Sequence, residues 1–479
     1  MFRGTEKAGD IIERGLREGR KVLLYGDPDV DGLMSLKLMC DLFDMKGVSY
    51  TYHVNDNREH GFQITDLDSL ADTLIVAADF AMLRDEIVAL NNHNVYIVSI
   101  DHHDIDDTMV EYENGVIINN QYEFEPDEKR YLSGAGMAYE VFCDIYPEFK
   151  SKEREAIVGI TLLSDARAIE NDLARQYLKT TYSSDAEYIR YLIECTLSSD
   201  FGFGAPRMDR SFIDFTFSPT VNAMLRFNKT QEAVDLILGK GMEKGISWRD
   251  RQRQLLEEMM QKVEILDLKN CYVLAINAKL FSQPITGFIG LLCSRLRQNE
   301  KSAIIFAYQD SVVLRASFRG LYDGVEYRDA LKSLGLQAEG HSIAFGINNF
   351  KPTPDLWGKI DVLIGQIEQG YQDKRTIIEV TNLSKVMLTD GKDVAENNCY
   401  VRDMFRTYFK YKGTQYNEVK RTYKQNKDKT FQLDKNGNKI TKYIEYLVDG
   451  RIVKSFGKNL ADGLILPLLE KGYMNLYVE

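Results

Sequence analysis

Short apolar runs alternate with helical periodicity through the first half of the chain. The runs at 21–25, 73–78 and 95–100 are typical of buried strands, and residues 49–54 alternate like another strand. Apolar residues at helical spacing predict helices over 11–18, 33–43, 82–91, 133–146 and 152–163, and further helical segments to about residue 239. Strands that alternate with helices predict an α/β fold with a mainly parallel sheet.

The second half of the chain shows two further patterns. Strands at 271–276, 302–307 and 312–316, a helix at 288–297 and a glycine-bearing turn at 339–346 predict a smaller α/β unit. A charged helix over 247–263 precedes it. The runs at 375–380, 417–423, 440–448 and 451–456 predict antiparallel strands, with turns at 435–438 and 449–450. We therefore expect an α/β domain (1–245), a connecting helix (246–268), a smaller α/β domain (269–370) and a β-rich module (375–479).

Composition narrows the class of protein. The six cysteines are far apart and form no Cys-x-x-Cys pair, which argues against thiolate zinc sites and a disulfide framework. No run of 18 apolar residues predicts a membrane span, and residues 1–20 do not resemble a signal peptide. We expect a cytoplasmic protein with no membrane partner.

Charge is distributed unevenly along the chain. The net charge is −12, yet residues 400–459 contain 15 Lys and Arg against 6 Asp and Glu. Aromatic residues such as Tyr423, Phe431 and Tyr443 lie among these cations. Cations interleaved with aromatics on a small β-fold are typical of modules that bind single-stranded nucleic acid. The alternative is a solvated, lysine-rich hairpin.

Acids and imidazoles follow the predicted strands. Asp27, Asp29 and Asp31 come after the first, Asp79 follows the third, and Asp101-His102-His103 ends the strand at 95–100. A single Asp at a strand end is commonly a turn residue. All three ends carry such residues, however, and the carboxyl ends of parallel strands meet at one edge of the sheet, where α/β proteins place their chemistry.

Packed carboxylates at this edge imply metal ions. If Asp165, which follows the predicted helix at 152–163, joins the strand-end acids, then Asp29, Asp31, Asp79 and Asp165 would repel one another unless some were protonated, and divalent cations remove that repulsion. Oxygen ligands with a histidine such as His102 and no cysteine suit Mn²⁺ or Mg²⁺ better than structural Zn²⁺. Two such ions, about 3.5–4 Å apart, are the usual arrangement for in-line attack on a phosphate ester.

These residues resemble a known family. Gly-Asp-Pro-Asp-Val-Asp-Gly at 26–32, Asp79, Asp-His-His at 101–103 and Asp165 are similar in order and spacing to the four motifs of the DHH phosphoesterase superfamily. Within it, the chain most resembles the RecJ single-strand-specific 5′→3′ exonucleases. Further similar stretches lie at 58–62, 132–136, 219–226, 285–289, 315–319 and 340–341. The resemblance covers about residues 20–350.

The resemblance implies roles for individual residues. Two Mn²⁺ or Mg²⁺ ions would be held by Asp29, Asp31, Asp79, His102 and Asp165, with Asp27 as a further ligand. His103 would contact the reacting phosphate beside Asp101, the two forming the catalytic pair. Phosphates of the substrate strand would be gripped by Arg58, Arg226, Ser317, Arg319 and His341. Residues 1–245 would be the DHH domain, residues 269–370 a DHHA1 substrate-binding domain, and residues 375–479 an OB-like nucleic-acid-binding module.

The implied function is metal-dependent hydrolysis of single-stranded DNA from the 5′ end to mononucleotides. Two alternatives stay open: a DHH phosphodiesterase acting on short oligoribonucleotides or cyclic dinucleotides, and a non-catalytic nucleic-acid-binding protein. The chain departs from the family pattern at Tyr25, where many members have a histidine, and at Glu339, which replaces the first glycine of Gly-Gly-His. Thr220 and Leu225 also replace an arginine and a glycine of the family's stretch.

Overall fold

The chain divides into two compact units. One contains Met1–Leu225, Thr230–Ile246 and Arg375–Glu479, and the other contains Arg226–Lys229 and Ser247–Lys374. The computed structural model describes residues 1–56, 61–80, 82–103, 112–122, 129–165, 167, 172–197, 207–240, 245–297, 301–322, 325–369, 376–380, 407–411, 416–425, 430–433, 437–448, 451–456, 464–467 and 475–478. The unit boundary at 246–247 falls close to the end of the predicted first domain, and the division into four parts stays a prediction.

A parallel five-stranded sheet forms the centre of the first unit. Its strands are β1 (Lys21–Gly26), β2 (Thr51–Val54), β3 (Thr73–Ala78), β4 (Tyr96–Asp101) and β5 (Gly115–Asn119), in the spatial order β2-β1-β3-β4-β5. All four neighbouring pairs are parallel. The predicted α/β class with a parallel sheet is therefore confirmed, and the carboxyl ends of β1, β3 and β4 lie side by side.

Helices cover the sheet because its strands are apolar on both faces. The first unit contains α1 (Thr5–Arg17), α2 (Val30–Met45), α3 (Arg84–Asn92), α4 (Gly134–Ile145), α5 (Lys152–Ser164), α6 (Asp172–Ser183), α7 (Glu187–Thr196), α8 (Arg210–Phe212), a π-helical turn (Ile213–Phe217), α9 (Ser218–Arg226) and α10 (Thr230–Ile237). On one face Tyr25, Ala77 and Ile97 pack with Ile87 and Leu90 of α3. On the other face, α1, α2 and α4 contact the strands.

Strand β5 was missed at the sequence level. Its residues Val116, Ile117 and Ile118 are fully buried, so the signal was a three-residue apolar run that is too short to separate from a loop. Helix α1 also begins earlier than predicted, at Thr5. β5 matters for the site because it pairs with β4 and supports the end that carries Asp101.

The second unit is built on a six-stranded mixed sheet. Its strands are β6 (Glu264–Asp267), β7 (Cys271–Asn277), β8 (Ser302–Gln309), β9 (Val312–Arg319), β10 (Gln337–His341) and β11 (Ala344–Asn348), in the order β10-β11-β9-β8-β7-β6. Its helices are α11 (Ile246–Lys262), α12 (Ile289–Arg297), α13 (Tyr327–Lys332) and α14 (Pro354–Glu368). Leu255, Leu256 and Met259 of α11 pack into a core with α12 and β7.

Two predictions for this unit were wrong, and one helix was not predicted. Residues 246–268 are not one helix, because Glu264–Asp267 pairs with β7 as an edge strand. Residues 339–346 are not a turn but most of the β10–β11 hairpin, whose Ala338 and Phe345 are buried in the core. Helix α14 was missed because Pro354 suggests a break between elements, although proline is also favoured in the first turn of a helix.

The C-terminal strands form a separate seven-stranded sheet. They are β12 (Thr376–Val380), β13 (Thr407–Tyr411), β14 (Tyr416–Tyr423), β15 (Thr441–Val448), β16 (Arg451–Phe456), β17 (Leu464–Pro467) and β18 (Asn475–Val478), in the order β12-β13-β18-β17-β16-β15-β14. The predicted β-rich module is confirmed. The antiparallel prediction is wrong for β12, which pairs in parallel with β13; the sequence between these two strands is long enough for the crossover that parallel pairing needs. None of the described helices could cross a membrane.

Candidate metal centre

The β1–α2 connection carries the first group of carboxylates. Asp29 is the N-cap of α2 and its Oδ1 accepts a hydrogen bond from the backbone N–H of Gly32 at 2.9 Å. Gly32 packs against the backbone of Asp27, where an added Cβ would lie 2.3 Å from the carbonyl oxygen. This tight turn has no room for a side chain at Gly32, and it brings Asp27, Asp29 and Asp31 to one end of the sheet.

The N-terminus of helix α4 lies at the same end of the sheet and presents its free backbone N–H groups there. Asp31, 2% exposed, accepts hydrogen bonds from the backbone N–H groups of Gly134 at 2.6 Å and Ala135 at 3.0 Å. The N-terminus of a helix favours negative charge, so α4 helps to keep a carboxylate in a buried position. These two hydrogen bonds from α4 fix the Asp31 carboxylate at the edge of the sheet.

His102 lies at the centre of the acidic cluster. Its Nε2 is 3.0 Å from Oδ1 of Asp79, which follows β3, and 3.7 Å from carboxylate oxygens of both Asp31 and Asp165. Asp79 adopts a left-handed backbone conformation, with φ of 70°, which turns its side chain at the strand end. The structure thus brings together four elements that are distant in sequence: the ends of β1, β3 and β4, and the C-terminus of α5.

His103 points to a different set of partners. Its Nδ1 is 2.8 Å from Oδ1 of Asp101, which is fully buried, and Asn119 of β5 donates to the His103 carbonyl at 2.9 Å. The His103 ring is 49% exposed. Partial burial acts to lower the pKa of His103, but the hydrogen bond and charge of Asp101 prevail and raise it to about 10. The two adjacent histidines therefore face different surroundings, one among clustered carboxylates and one toward solvent.

Burial and mutual repulsion perturb the acids of the cluster. Burial, followed by the charge of Asp29, raises the pKa of Asp31. Burial, followed by the charge of Asp31, raises the pKa of both Asp79 and Asp165 well above the usual range. Carboxyl groups this close cannot all be ionised without a compensating cation.

The donor atoms fit a divalent cation. Three sets each offer donor atoms within 4.8 Å of one another: Asp27, Asp29 and Asp79; Asp31, His102 and Asp165; and Asp79, Asp101, His102 and His103. The buried Oδ2 of Asp165 accepts no hydrogen bond from a described residue. Carboxylate oxygens with imidazole and no thiolate are the ligands of Mn²⁺ and Mg²⁺ sites, so the chain has the residues for such ions.

Tyr25 occupies the position where a histidine was expected. It is fully buried, and its hydroxyl donates to Asn55 and accepts from the backbone N–H of Gln63 at 3.1 Å. Its ring packs against His53 and Phe80. Tyr25 is thus engaged in holding the segment after β2.

The residues predicted to grip phosphate are described only in part. Arg58 lies outside the described residues, as does the side chain of His341. In the second unit, Nη1 of Arg319 donates to Oγ of Ser317 at 2.8 Å, and the start of α12 packs over this pair at Gly290. Arg226 lies within hydrogen-bond distance of Gln252, at 3.4 Å.

The C-terminal module combines exposed aromatics with cations. Phe431, 39% exposed, contacts the Tyr423 ring edge-on, and the Lys439 ammonium lies 3.9 Å from the centre of the Phe431 ring. Arg421 is paired with Glu418. Lys427 and Lys429 lie outside the described residues. Exposed aromatic rings among cations are typical of surfaces that bind single-stranded nucleic acid.

Sequence reasoning missed three contributors to the candidate metal centre. The backbone amide of Gly134 was overlooked because it acts through the main chain, although Ser133 before it is a recognisable N-cap. Asn119 was overlooked together with β5. Arg167, whose Nε lies 3.8 Å from Asp165, also went unnoticed.

Comparison with known proteins identifies the relatives of this site. Residues 21–164 match the DHH family, N-terminal domain. A putative single-strand DNA-specific exonuclease of Bacillus subtilis, YorK, is 28% identical over 233 residues, which are 47% of this chain and 39% of YorK. The single-stranded-DNA-specific exonuclease RecJ of Haemophilus influenzae is 21% identical over 72% of this chain and 66% of RecJ. The chain thus spans about two fifths to two thirds of these relatives' lengths.

Solved structures show the same fold. RecJ of Thermus thermophilus in complex with Mn²⁺ superposes with a TM-score of 0.68 at 16% identity, covering all of this chain and 71% of RecJ. A second RecJ exonuclease bound to manganese has a TM-score of 0.58, covering 78% of this chain and 96% of that one. This chain is therefore similar to RecJ in fold.

Proposed function

We propose that this chain, whose residues 21–164 form a DHH-family N-terminal domain within a RecJ-like fold, is a metal-dependent exonuclease. Its substrate would be single-stranded DNA, degraded from the 5′ end to mononucleotides. The observation that carries the proposal is the cluster of Asp31, Asp79 and Asp165 around His102 at one edge of the parallel sheet. The names of its relatives support the choice of DNA as substrate.

Each residue of the cluster would have a separate task. Asp27, Asp29, Asp31, Asp79, His102 and Asp165 would hold two divalent cations. When bound, these ions supply positive charge to the phosphate and lower the pKa of the attacking water. The backbone amides of Gly134 and Ala135 donate to Asp31 and would keep its carboxylate in position for that task.

His103 would contact the scissile phosphate directly. Its Nδ1 donates to Asp101, which leaves Nε2 on a half-exposed ring to face a substrate. Asp101 would orient that ring and would not itself touch the phosphate, because it is fully buried. A histidine held by a carboxylate is a common arrangement for donating a hydrogen bond to an oxygen that gains charge.

The two parts of the chain that follow the metal centre would bind the DNA strand. We assign residues 269–370 to a DHHA1 substrate-binding domain and residues 375–479 to an OB-like module. Arg58, Arg226, Ser317, Arg319 and His341 would grip phosphates, since arginine bonds phosphate oxygens in bidentate fashion. Phe431 with Lys439 would stack on bases.

Strand degradation with end-labelled DNA tests this function. With Mn²⁺ and 5′-labelled single-stranded DNA, labelled mononucleotide should appear before shorter labelled strands, and blunt duplex should survive. A 3′-labelled strand should shorten progressively. Turnover of dinucleotides without attack on long strands would refute the proposal in favour of a small-substrate phosphodiesterase.

Asp79→Asn tests the metal centre itself. Removing one central carboxylate should reduce hydrolysis by at least 10³-fold, on the order of what loss of a group acting at the reaction centre costs. Its Mn²⁺ affinity should fall as well. Asp85→Asn, an exposed change at the start of α3, is the matched control and should leave turnover unchanged. Undiminished hydrolysis by Asp79→Asn would exclude the proposed metal mechanism.

A further inference from the structure

Three neighbouring strands of the second unit align a row of residues on one face. In register, Ser317 of β9 pairs with Gly346 of β11, and Gly346 pairs with Glu339 of β10. Directly paired residues in a sheet point to the same side. Glu339 therefore shares a face with Ser317, two strands away, which is about 10 Å at the usual strand spacing.

The opposite face of these strands is the hydrophobic core. The residues on both sides of Ser317 and Gly346, and the residue before Glu339, are buried there: Ala316, Phe318, Phe345, Ile347 and Ala338. Ser317, Gly346 and Glu339 consequently face away from that core. Arg319, two residues beyond Ser317 on β9, is on the same side and donates to the Ser317 hydroxyl.

Gly346 leaves open space between the hydroxyl and the carboxylate. A Cβ built on Gly346 would find only the Glu339 carbonyl oxygen, at 3.9 Å, within van der Waals range. The floor between Ser317 and Glu339 is therefore bare backbone. Glu339 is exposed, and no ion pair joins it to a described residue. Ser317 itself is buried and its hydroxyl donates to the Phe345 carbonyl at 3.1 Å, so a ligand phosphate lying on this floor would meet the half-buried Arg319 on one side and the exposed Glu339 carboxylate on the other.

We propose that Glu339 determines which chemical form of strand end the protein accepts. A 5′-terminal phosphate carries about −1.5 to −2 charge at neutral pH. Glu339 repels that dianion, whereas it accepts a hydrogen bond from a 5′-hydroxyl end. The inference rests on the proposed function, since it takes the face bearing Ser317 and Arg319 as the place where the strand end lies.

The size of the discrimination follows from Coulomb's law. Each unit of additional negative charge about 7 Å from the carboxylate, at an effective dielectric constant between roughly 20 and 80, weakens binding by about 3- to 50-fold. We therefore expect the 5′-phosphorylated strand to bind about tenfold more weakly than the 5′-hydroxyl strand. The difference should shrink as salt is added, because the floor is open to solvent.

Equilibrium binding without hydrolysis tests the inference. Three strands of one sequence are compared by fluorescence anisotropy in EDTA: one with a 5′-hydroxyl, one with a 5′-phosphate and one with a 3′-phosphate. For Glu339→Gln, the tenfold ratio of the first two dissociation constants should fall to within about twofold of unity, with 5′-hydroxyl binding unchanged. Glu326→Gln, a matched change of an exposed glutamate beside α13, should keep the ratio.

Several results would overturn the inference. Equal binding of the two 5′ forms by the wild-type protein would do so, as would an unaltered ratio in Glu339→Gln. If the 3′-phosphate strand also binds more weakly than the 5′-hydroxyl strand, and Glu339→Gln removes that difference to the same extent, the effect is one of general charge and not of the 5′ end. Failure of the protein to bind any of the three strands would also contradict the inference. Because the ratio is read without catalysis, it is separate from the Mn²⁺-dependent hydrolysis assay, whose failure would count against the proposed function.

Discussion

Gly134→Ala should disable the metal centre through a single methyl group. Gly134 is the first residue of α4, and its backbone N–H donates to Asp31 at 2.6 Å. An added Cβ would lie 2.4 Å from Oδ1 and 2.6 Å from Cγ of Asp79. Both carboxylates therefore depend on the absence of a side chain at this position.

The displacement can be estimated from these distances. Ordinary contacts of a Cβ begin at 3.4 Å, so Asp79 or the start of α4 must move by about 1 Å. A misplacement of about 1 Å in a catalytic constellation costs roughly 10²-fold in rate, equivalent to about 2.7 kcal/mol of transition-state stabilisation. Overpacking of this kind also destabilises the fold by about 1–3 kcal/mol.

Steady-state kinetics and metal titration measure the effect. We expect kcat/KM on single-stranded DNA to fall about 10²-fold at saturating Mn²⁺, and Mn²⁺ affinity in calorimetry to fall with it. Gly136→Ala, two residues along α4, is the control: its Cβ would meet Leu132 and Val158 methyl groups at 3.2–3.3 Å, and these can adjust. Wild-type kinetics and metal affinity in a folded Gly134→Ala would refute the role assigned to Asp79.

Two further predictions concern pH and strand binding. Because the pKa values of Asp31, Asp79 and Asp165 are raised by burial and mutual repulsion, the folded protein without metal binds more protons than the unfolded chain above pH 3.8, the ordinary value. The contribution of these groups to the stability of the metal-free protein should therefore fall as pH rises. The melting temperature in Mn²⁺ should then exceed that in EDTA by an amount that grows with pH, and a difference that does not change with pH would contradict this. Phe431→Ala should weaken single-strand binding about 5- to 100-fold at constant salt slope, whereas Lys439→Gln should lower the slope of log K against log salt by about one; unchanged affinity in both would remove the case for this surface.

Local signals were sufficient for the strands that carry the site. The runs leading to Asp27, Asp79 and Asp101 are mainly apolar and an acid stands at or directly after the end of each, so both their extent and their ends could be predicted. Helix α2 was equally clear, because its apolar periodicity follows an N-cap aspartate. The acids and histidines proposed as ligands were therefore all identifiable before the fold was known.

Elements with weak or ambiguous local signals were mispredicted. The hairpin around Gly340 reads as a turn because glycine and histidine interrupt its alternation, yet Phe345 and Ala338 anchor both strands in the core. Strand β6 was assigned to a helix because Ile265 and Leu266 directly follow a helical pattern, and only pairing with β7 makes them extended. In these places tertiary contacts override propensity.

The sequence alone determined the fold class, the acidic residues at the strand ends and the likeness of their motifs to the DHH family, because each depends on residues that are close in the chain. Tertiary structure alone decided which groups meet. Asp31 and Gly134 are 103 positions apart, and their hydrogen bond exists because α4 begins at the edge where β1 ends. Likewise, only the register of β9, β11 and β10 places Glu339 on the face of Ser317. Strand order and register are set by packing of the whole core, so no local pattern can specify such contacts.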